Sequence, residues 1–324
     1  MKSLGLATLL AALFIAGCAP VPPATVAPTS GPLSIGEHAP TLNGVRMWYR
    51  VAGRPTGVPV IFIAGGPGGN HYEFATLAGP SLEPSHRMIY LDGRGVGKSE
   101  RPASADYRIA TLIDDIEALR VHLGVPRIAI IAHSFGGLLG LNYAAKYPGS
   151  LSALVVAGGL WDPVLSCRER AEFLAVASPA AYARLMANGR PPDDQICEAG
   201  FRAVPREEFE RVNNASMFPK EETLRRQKAA QAESGLKNTG ELSRAVFSQG
   251  FPALRFRDLD KVRAPVLVVA GGKDFAAGPA AQRALAATLP NGQLVEYPDY
   301  GHWMFIDDPD RFASDVTRFL RRVR

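Results

Sequence analysis

The segment Ala132-His133-Ser134-Phe135-Gly136 sets a serine between small residues two before and two after it, where an apolar run gives way to an amphipathic stretch. Small-x-Ser-x-Gly at such a junction predicts a turn too tight for bulky groups at 132 and 136, which lifts the hydroxyl above a sheet with a helix N-terminus beneath it. Ala132 stands where glycine is usual, and an N-capping serine is the plainer alternative. A serine hydroxyl becomes a nucleophile when it has a base, a group that orients the base, and fixed donors for the developing oxyanion. Asp274 comes just after Gly271-Gly272-Lys273 at the end of a strand-like run, and His302 follows Tyr300-Gly301 after the last such run. The chain order is therefore serine, aspartate, histidine. Asp162 is a reserve acid because it too follows a strand end, although its expected part is to begin a helix. The expected oxyanion donors are the amide of Phe135 and that of Gly66 in Ala64-Gly65-Gly66-Pro67-Gly68-Gly69, with Gly65 the nearest rival.

These groups need a frame. Short, largely β-branched apolar runs at 60–63, 88–91, 128–132, 153–156 and 265–270 read as buried strands, and helical spacing at 109–123 and 138–147 falls between them. That alternation predicts an α/β fold with a mostly parallel, doubly wound sheet covered by helices on both faces. A hairpin near 41–51 is expected to supply antiparallel edge strands. From about 161 to 256 the strand pattern stops, and helix-start signals such as Ser178-Pro179 and charged runs predict an inserted helical cap. Alternation resumes at 265 and closes through 282–289, 293–297 and a last helix opened by Asp308-Pro309.

The first residues point to a compartment. Lys2, an apolar run at 4–17 and Cys18 are too short for a permanent span and read as an export signal over 1–17. Ile15-Ala16-Gly17-Cys18 resembles the bacterial lipobox, which implies a lipidated Cys18 as first mature residue and attachment to a membrane; an ordinary signal with an incidental cysteine is the alternative. Residues 18–32 carry five prolines among small residues and form a semi-rigid tether, leaving 33–324 as the folded domain. Export brings Cys167 and Cys197 into an oxidising environment where a disulfide between them is expected, two buried free thiols being the alternative.

Composition limits the remaining possibilities. With 47% apolar and 21% charged residues in a chain of 324, disorder and a multi-span membrane protein are excluded. The net charge of +5 is scattered, so no nucleic-acid surface is expected. Asp92-Gly93-Arg94-Gly95-Val96-Gly97-Lys98-Ser99 ends like a phosphate-binding loop but has Asp92 where the first glycine belongs, and Pro102 would interrupt the helix that should follow. Asp92 and Arg94 read instead as a polar brace beneath the site. His38, His86 and His122 are expected at the surface, His71 and His133 in packing roles near the site. No metal spacing is present, and serine chemistry requires no cofactor.

Together these motifs resemble the α/β-hydrolase superfamily over 35–324. The glycine loop, the 92–99 segment and the cap look like the proline iminopeptidase branch, which usually has histidine at the position of Ala64 and Gly-Gly-Ser-Trp-Gly at that of 132–136. His302-Trp303 followed by Asp307-Asp308-Pro309 is more similar to esterase, epoxide-hydrolase and carbon–carbon hydrolase relatives, and Ser134 argues against the epoxide hydrolases and dehalogenases, which use an aspartate nucleophile. The resemblance implies a serine hydrolase of a small ester or amide, with an aminopeptidase or a carbon–carbon hydrolase as neighbouring readings. A non-catalytic lipoprotein that binds a small molecule under the cap is the alternative of a different class.

Overall fold

The computed structural model describes residues 31–248 and 250–323; the export signal, Cys18 and most of the tether lie outside the described residues. The strands are β1 (Gly36–His38), β2 (Thr41–Leu42), β3 (Val45–Arg46), β4 (Tyr49–Gly53), β5 (Pro59–Ile63), β6 (Arg87–Leu91), β7 (Ile128–His133), β8 (Leu151–Ala157), β9 (Val266–Gly271) and β10 (Gly292–Tyr297). Eight of them form one sheet in the order β1-β4-β6-β5-β7-β8-β9-β10. The β1–β4 and β4–β6 pairs are antiparallel, and every pair from β6 to β10 is parallel.

Every residue of β5, β7 and β9 is buried because helices cover both faces of the sheet, so these strands are continuous apolar runs rather than alternating ones. Each fully buried Val, Leu or Ile there contributes about 1.5–3 kcal/mol of apolar burial. One core cluster packs beneath the Ile109–His122 and Phe135–Lys146 helices, and a second lies around Phe74, Phe305 and Phe312 on the opposite face. β10, on the outer edge, is half open to water.

The antiparallel edge differs from the expected hairpin. Asn43 and Gly44 both have positive φ, 46° and 76°, and close a tight two-residue turn. β2 and β3 on either side of it pair only with each other. β4 instead joins the main sheet, and its outer partner is β1, three residues (Gly-Glu-His) too short and polar to carry a periodic signal. Another difference is at the elbow helix, which begins at Phe135 rather than 138 because Gly136 and Gly137 hide its apolar spacing.

Between β8 and β9 the chain forms the helices Pro163–Ala177, Pro179–Met186, Ile196–Ala203, Arg206–Met217, Glu221–Ser234 and Glu241–Phe247. Asp162 opens the first, its carboxylate accepting from the Val164 and Leu165 amides ahead of Pro163, and Ser178 caps the second. The first and third are joined by a Cys167–Cys197 disulfide with Cα atoms 5.1 Å apart, within a small apolar cluster of the cap's own. No helix among the described residues is long and apolar enough to cross a membrane.

Candidate active site

β7 ends at His133, and Ser134 turns the chain into the next helix with φ 54° and ψ −123°, a backbone state that a non-glycine residue adopts only under constraint. The constraint is visible. The Ser134 amide donates to Ala157 O (3.2 Å), and its carbonyl accepts from Gly137 N and Leu160 N, both at 2.8 Å. A Cβ on Gly136 would lie 2.5 Å from Ile63 O, and one on Gly137 2.7 Å from Gly159 Cα, so only glycine lets the helix approach the sheet this closely. On the open side, a Cβ on Gly65 would lie 2.5 Å from Ser134 Cβ. The serine is half-buried, with backbone pressing on it from two sides.

Asp274 is fully buried past the end of β9. Its Oδ2 accepts a 2.8 Å hydrogen bond from His302 Nδ1, and its Oδ1 accepts from the Ala276 and Ala277 amides, each at 3.0 Å. The Nδ1–H that this bond requires leaves Nε2 of His302 as the free basic nitrogen. Ser134 and His302 open onto one cavity of about 210 Å³, also lined by Gly65, Gly66, Glu73 and Trp303. Gly158, which the sequence reading passed over, sits on the aspartate–histidine bond. Its φ is +51°, and a Cβ there would come within 2.9 Å of Asp274 Oδ2 and 3.2 Å of His302 Nδ1.

The glycine loop meets this cavity from the other side. Gly66 has φ +114° and a cis bond to Pro67, and a Cβ on it would strike the amides of Gly68 and Gly69. Gly66 and its rival Gly65 both line the cavity. Phe135 is the first residue of its helix, so its N–H has no partner within that helix. The arrangement brings a hydroxyl, a basic nitrogen, a buried carboxylate and candidate amide donors into one space, the set that acyl transfer requires.

Asp162 is committed elsewhere, as a helix cap and in a 2.7 Å ion pair with Arg255. Asp92 and Arg94 brace separate elements rather than each other. Asp92 accepts from the backbone and ring nitrogens of His71 (2.9 and 2.8 Å) and from Lys98 N (2.9 Å), while Arg94 pairs with Asp115 at 2.5 Å. Within the stretch that ends like a phosphate-binding loop, the Lys98 amide is thus taken by a carboxylate of the chain itself, and the Gly95, Val96 and Ser99 amides donate to backbone carbonyls. His133 donates from Nε2 to His302 O at 3.0 Å; complete burial, then the neighbouring His302, hold its pKa well below the usual histidine value, so it stays neutral. His86 departs from the expected surface position: it is 4% exposed, with Nε2 2.8 Å from Thr317 Oγ1, because the last helix covers it. His38 is half-buried against the Tyr49 ring, and His122 is exposed.

A polar wall of the cavity was also absent from the sequence reading. Glu73 Oε1 accepts from Gln227 Nε2 of the cap at 2.7 Å, and Asn70, Gln231 and Asn238 stand on the same lining. Burial pushes the Glu73 carboxyl up to about 7, with the Gln227 hydrogen bond pulling the other way.

The family model for the alpha/beta hydrolase fold matches residues 58–309. The chain belongs to this family. A putative carbamate hydrolase RutD of Klebsiella pneumoniae (strain 342) is 30% identical over 261 residues, covering 80% of this chain and 90% of that protein. A proline iminopeptidase of Clostridium botulinum is 25% identical over 288 residues, covering 86% of this chain and 95% of its own. Among solved structures, a proline iminopeptidase-related protein of Thermus thermophilus superposes with a TM-score of 0.73 at 20% identity, over 90% of this chain and 98% of that one, and bears on the fold alone. The relatives are named as hydrolases and iminopeptidases, and the chain is a hydrolase of their family.

Proposed function

We propose that this hydrolase cleaves a small carboxylic ester or amide through an acyl-enzyme. Ser134 Oγ attacks the carbonyl carbon while its proton passes to His302 Nε2. Asp274 fixes the imidazole tautomer and stabilises the imidazolium, and the Phe135 and Gly66 amides receive the oxyanion. Collapse of the tetrahedral adduct breaks the bond to the leaving group, which departs with the proton from His302. Water then attacks the acyl-enzyme by the same path in reverse, releasing the acid and restoring Ser134.

The observation that carries this reading is the constrained Ser134 backbone sharing one cavity with a histidine whose Nδ1 is held 2.8 Å from a buried aspartate. The cavity volume of about 210 Å³ lies below the roughly 300–1,000 Å³ of typical small-molecule sites, which favours a small substrate. Its polar wall at Glu73, Gln227 and Asn238 favours one with hydrogen-bonding groups. We further propose that the enzyme is exported and held to a membrane by a lipidated Cys18; the disulfide in the cap agrees with an oxidising compartment.

Kinetics on a small ester tests the chemistry. Ser134→Ala and His302→Ala should each leave the same residual rate as the double variant, since triad members act as a unit. Asp274→Asn should also fail, and Asp162→Asn should stay near normal. A double variant much slower than either single would refute the reading, as would an active Asp274→Asn beside an inactive Asp162→Asn.

A further inference from the structure

We propose that the corner of the cap at 217–219 is a positioning element for His302, so that docking of the cap assembles the histidine–aspartate pair against Ser134. This rests on the reading of His302 as the base. The peptide of His302 is gripped on both sides: its N–H donates to Met217 O of the cap at 2.9 Å, and its carbonyl accepts from His133 at the elbow at 3.0 Å. The preceding cap residue holds the other partner, because the Phe275 amide, next to Asp274, donates to Ser216 O at 2.8 Å. The acid and base loops are also tied to each other by Lys273 N donating to Tyr300 O at 3.0 Å.

The joint is close-packed. A Cβ on Gly301 would overlap Met217 O and Pro219 Cδ and lie 3.0 Å from the Met217 carbonyl carbon, so the glycine is what admits the cap's backbone. Phe218 is 9% exposed, and its ring stacks on Trp303 at 6.0 Å between centroids, immediately after the histidine. Met217 itself lines the cavity. Substrate that presses on this wall therefore presses on the residue whose carbonyl fixes the backbone of the base. The cap is thus part of the scaffold that aligns the reacting groups as well as a cover for the substrate.

The test compares Gly301→Ala and Phe218→Ala with the wild-type full-length protein, using ester kinetics and the labelling rate of Ser134 by a small fluorophosphonate. Arg226→Ala is the control, because it loosens the cap at Ile306 O, away from the corner. Relief of the overlap at Gly301 requires the corner and histidine loop to part by about 1 Å, a misplacement that costs on the order of 100-fold. The expected result for Gly301→Ala is a kcat and a labelling rate about 100-fold lower, KM within about twofold, and a control near wild type. A wild-type labelling rate, a change confined to KM, or an equal loss in Arg226→Ala overturns the proposal. If Gly301→Ala fails to fold, Phe218→Ala decides: kcat and labelling down at least about tenfold at steady KM support it, and any other pattern overturns it. Failure of the wild type itself to label would instead bring down the reading of Ser134 as nucleophile and His302 as its base.

Discussion

Replacing Glu73 by glutamine keeps an oxygen that can accept from Gln227 and removes the charge. Burial raises the carboxyl from its ordinary 4.5 to about 7, so the folded state holds this proton more tightly than the unfolded chain does. The sign follows by linkage: the wild type loses stability relative to Glu73→Gln as pH rises from about 4.5 through about 7, and the loss is complete above that range. At about 1.4 kcal/mol per pKa unit the full difference is about 3.5 kcal/mol, and water reaching the half-buried carboxylate through the cavity reduces it to about 2 kcal/mol. Urea unfolding of both proteins between pH 4 and about 8.5, with the disulfide intact, gives the difference directly, because groups not coupled to Glu73 cancel. A flat difference, or one in which the wild type gains on the variant with rising pH, would refute the reasoning.

The Cys167–Cys197 bridge closes a segment with a sequence separation of 30, and its loss in Cys167→Ser should cost about 3 to 4 kcal/mol in the chain-entropy account; peptide mapping without reductant should recover the linked pair, and alkylated free thiols would contradict it. Gly158→Ala should lower kcat at least about tenfold with little change in KM, because its methyl would press on the aspartate–histidine bond; unaltered kinetics would show that the bond tolerates it. Cys18→Ser should abolish lipidation and processing before residue 18, as read by intact mass of the exported protein, while a chain beginning near Gly31 should be soluble and fully active. An unmodified wild-type N-terminus would end the anchoring proposal.

The parts of the site that were legible in the sequence are those specified by local chain chemistry. Ser134 announces itself because a tight strand-to-helix turn demands small neighbours, and Asp274 and His302 because each follows the end of an apolar run. The sheet was legible for the same reason, since burial on both faces makes β5, β7 and β9 unbroken apolar strings. What was not legible depends on convergence. Glu73 and Gln227 are 154 residues apart, and nothing near either one shows that they meet. His86 has an ordinary surface-like context, yet a helix more than two hundred residues later covers it. β1 escapes notice because three residues carry no period. Gly158-Gly159 after β8 was a signal of close approach that could have been used, as the position of Gly158 over the aspartate–histidine bond demonstrates.

The central claim is that Ser134 is an activated nucleophile. Incubating the wild-type protein with a small fluorophosphonate and mapping the adduct by peptide mass spectrometry tests it most directly, because phosphonylation requires a hydroxyl whose proton is being removed. The account predicts one adduct per chain, on the peptide carrying Ser134, absent in Ser134→Ala and slowed by orders of magnitude in His302→Ala. An unlabelled wild-type protein, or an adduct that persists in Ser134→Ala, would contradict it.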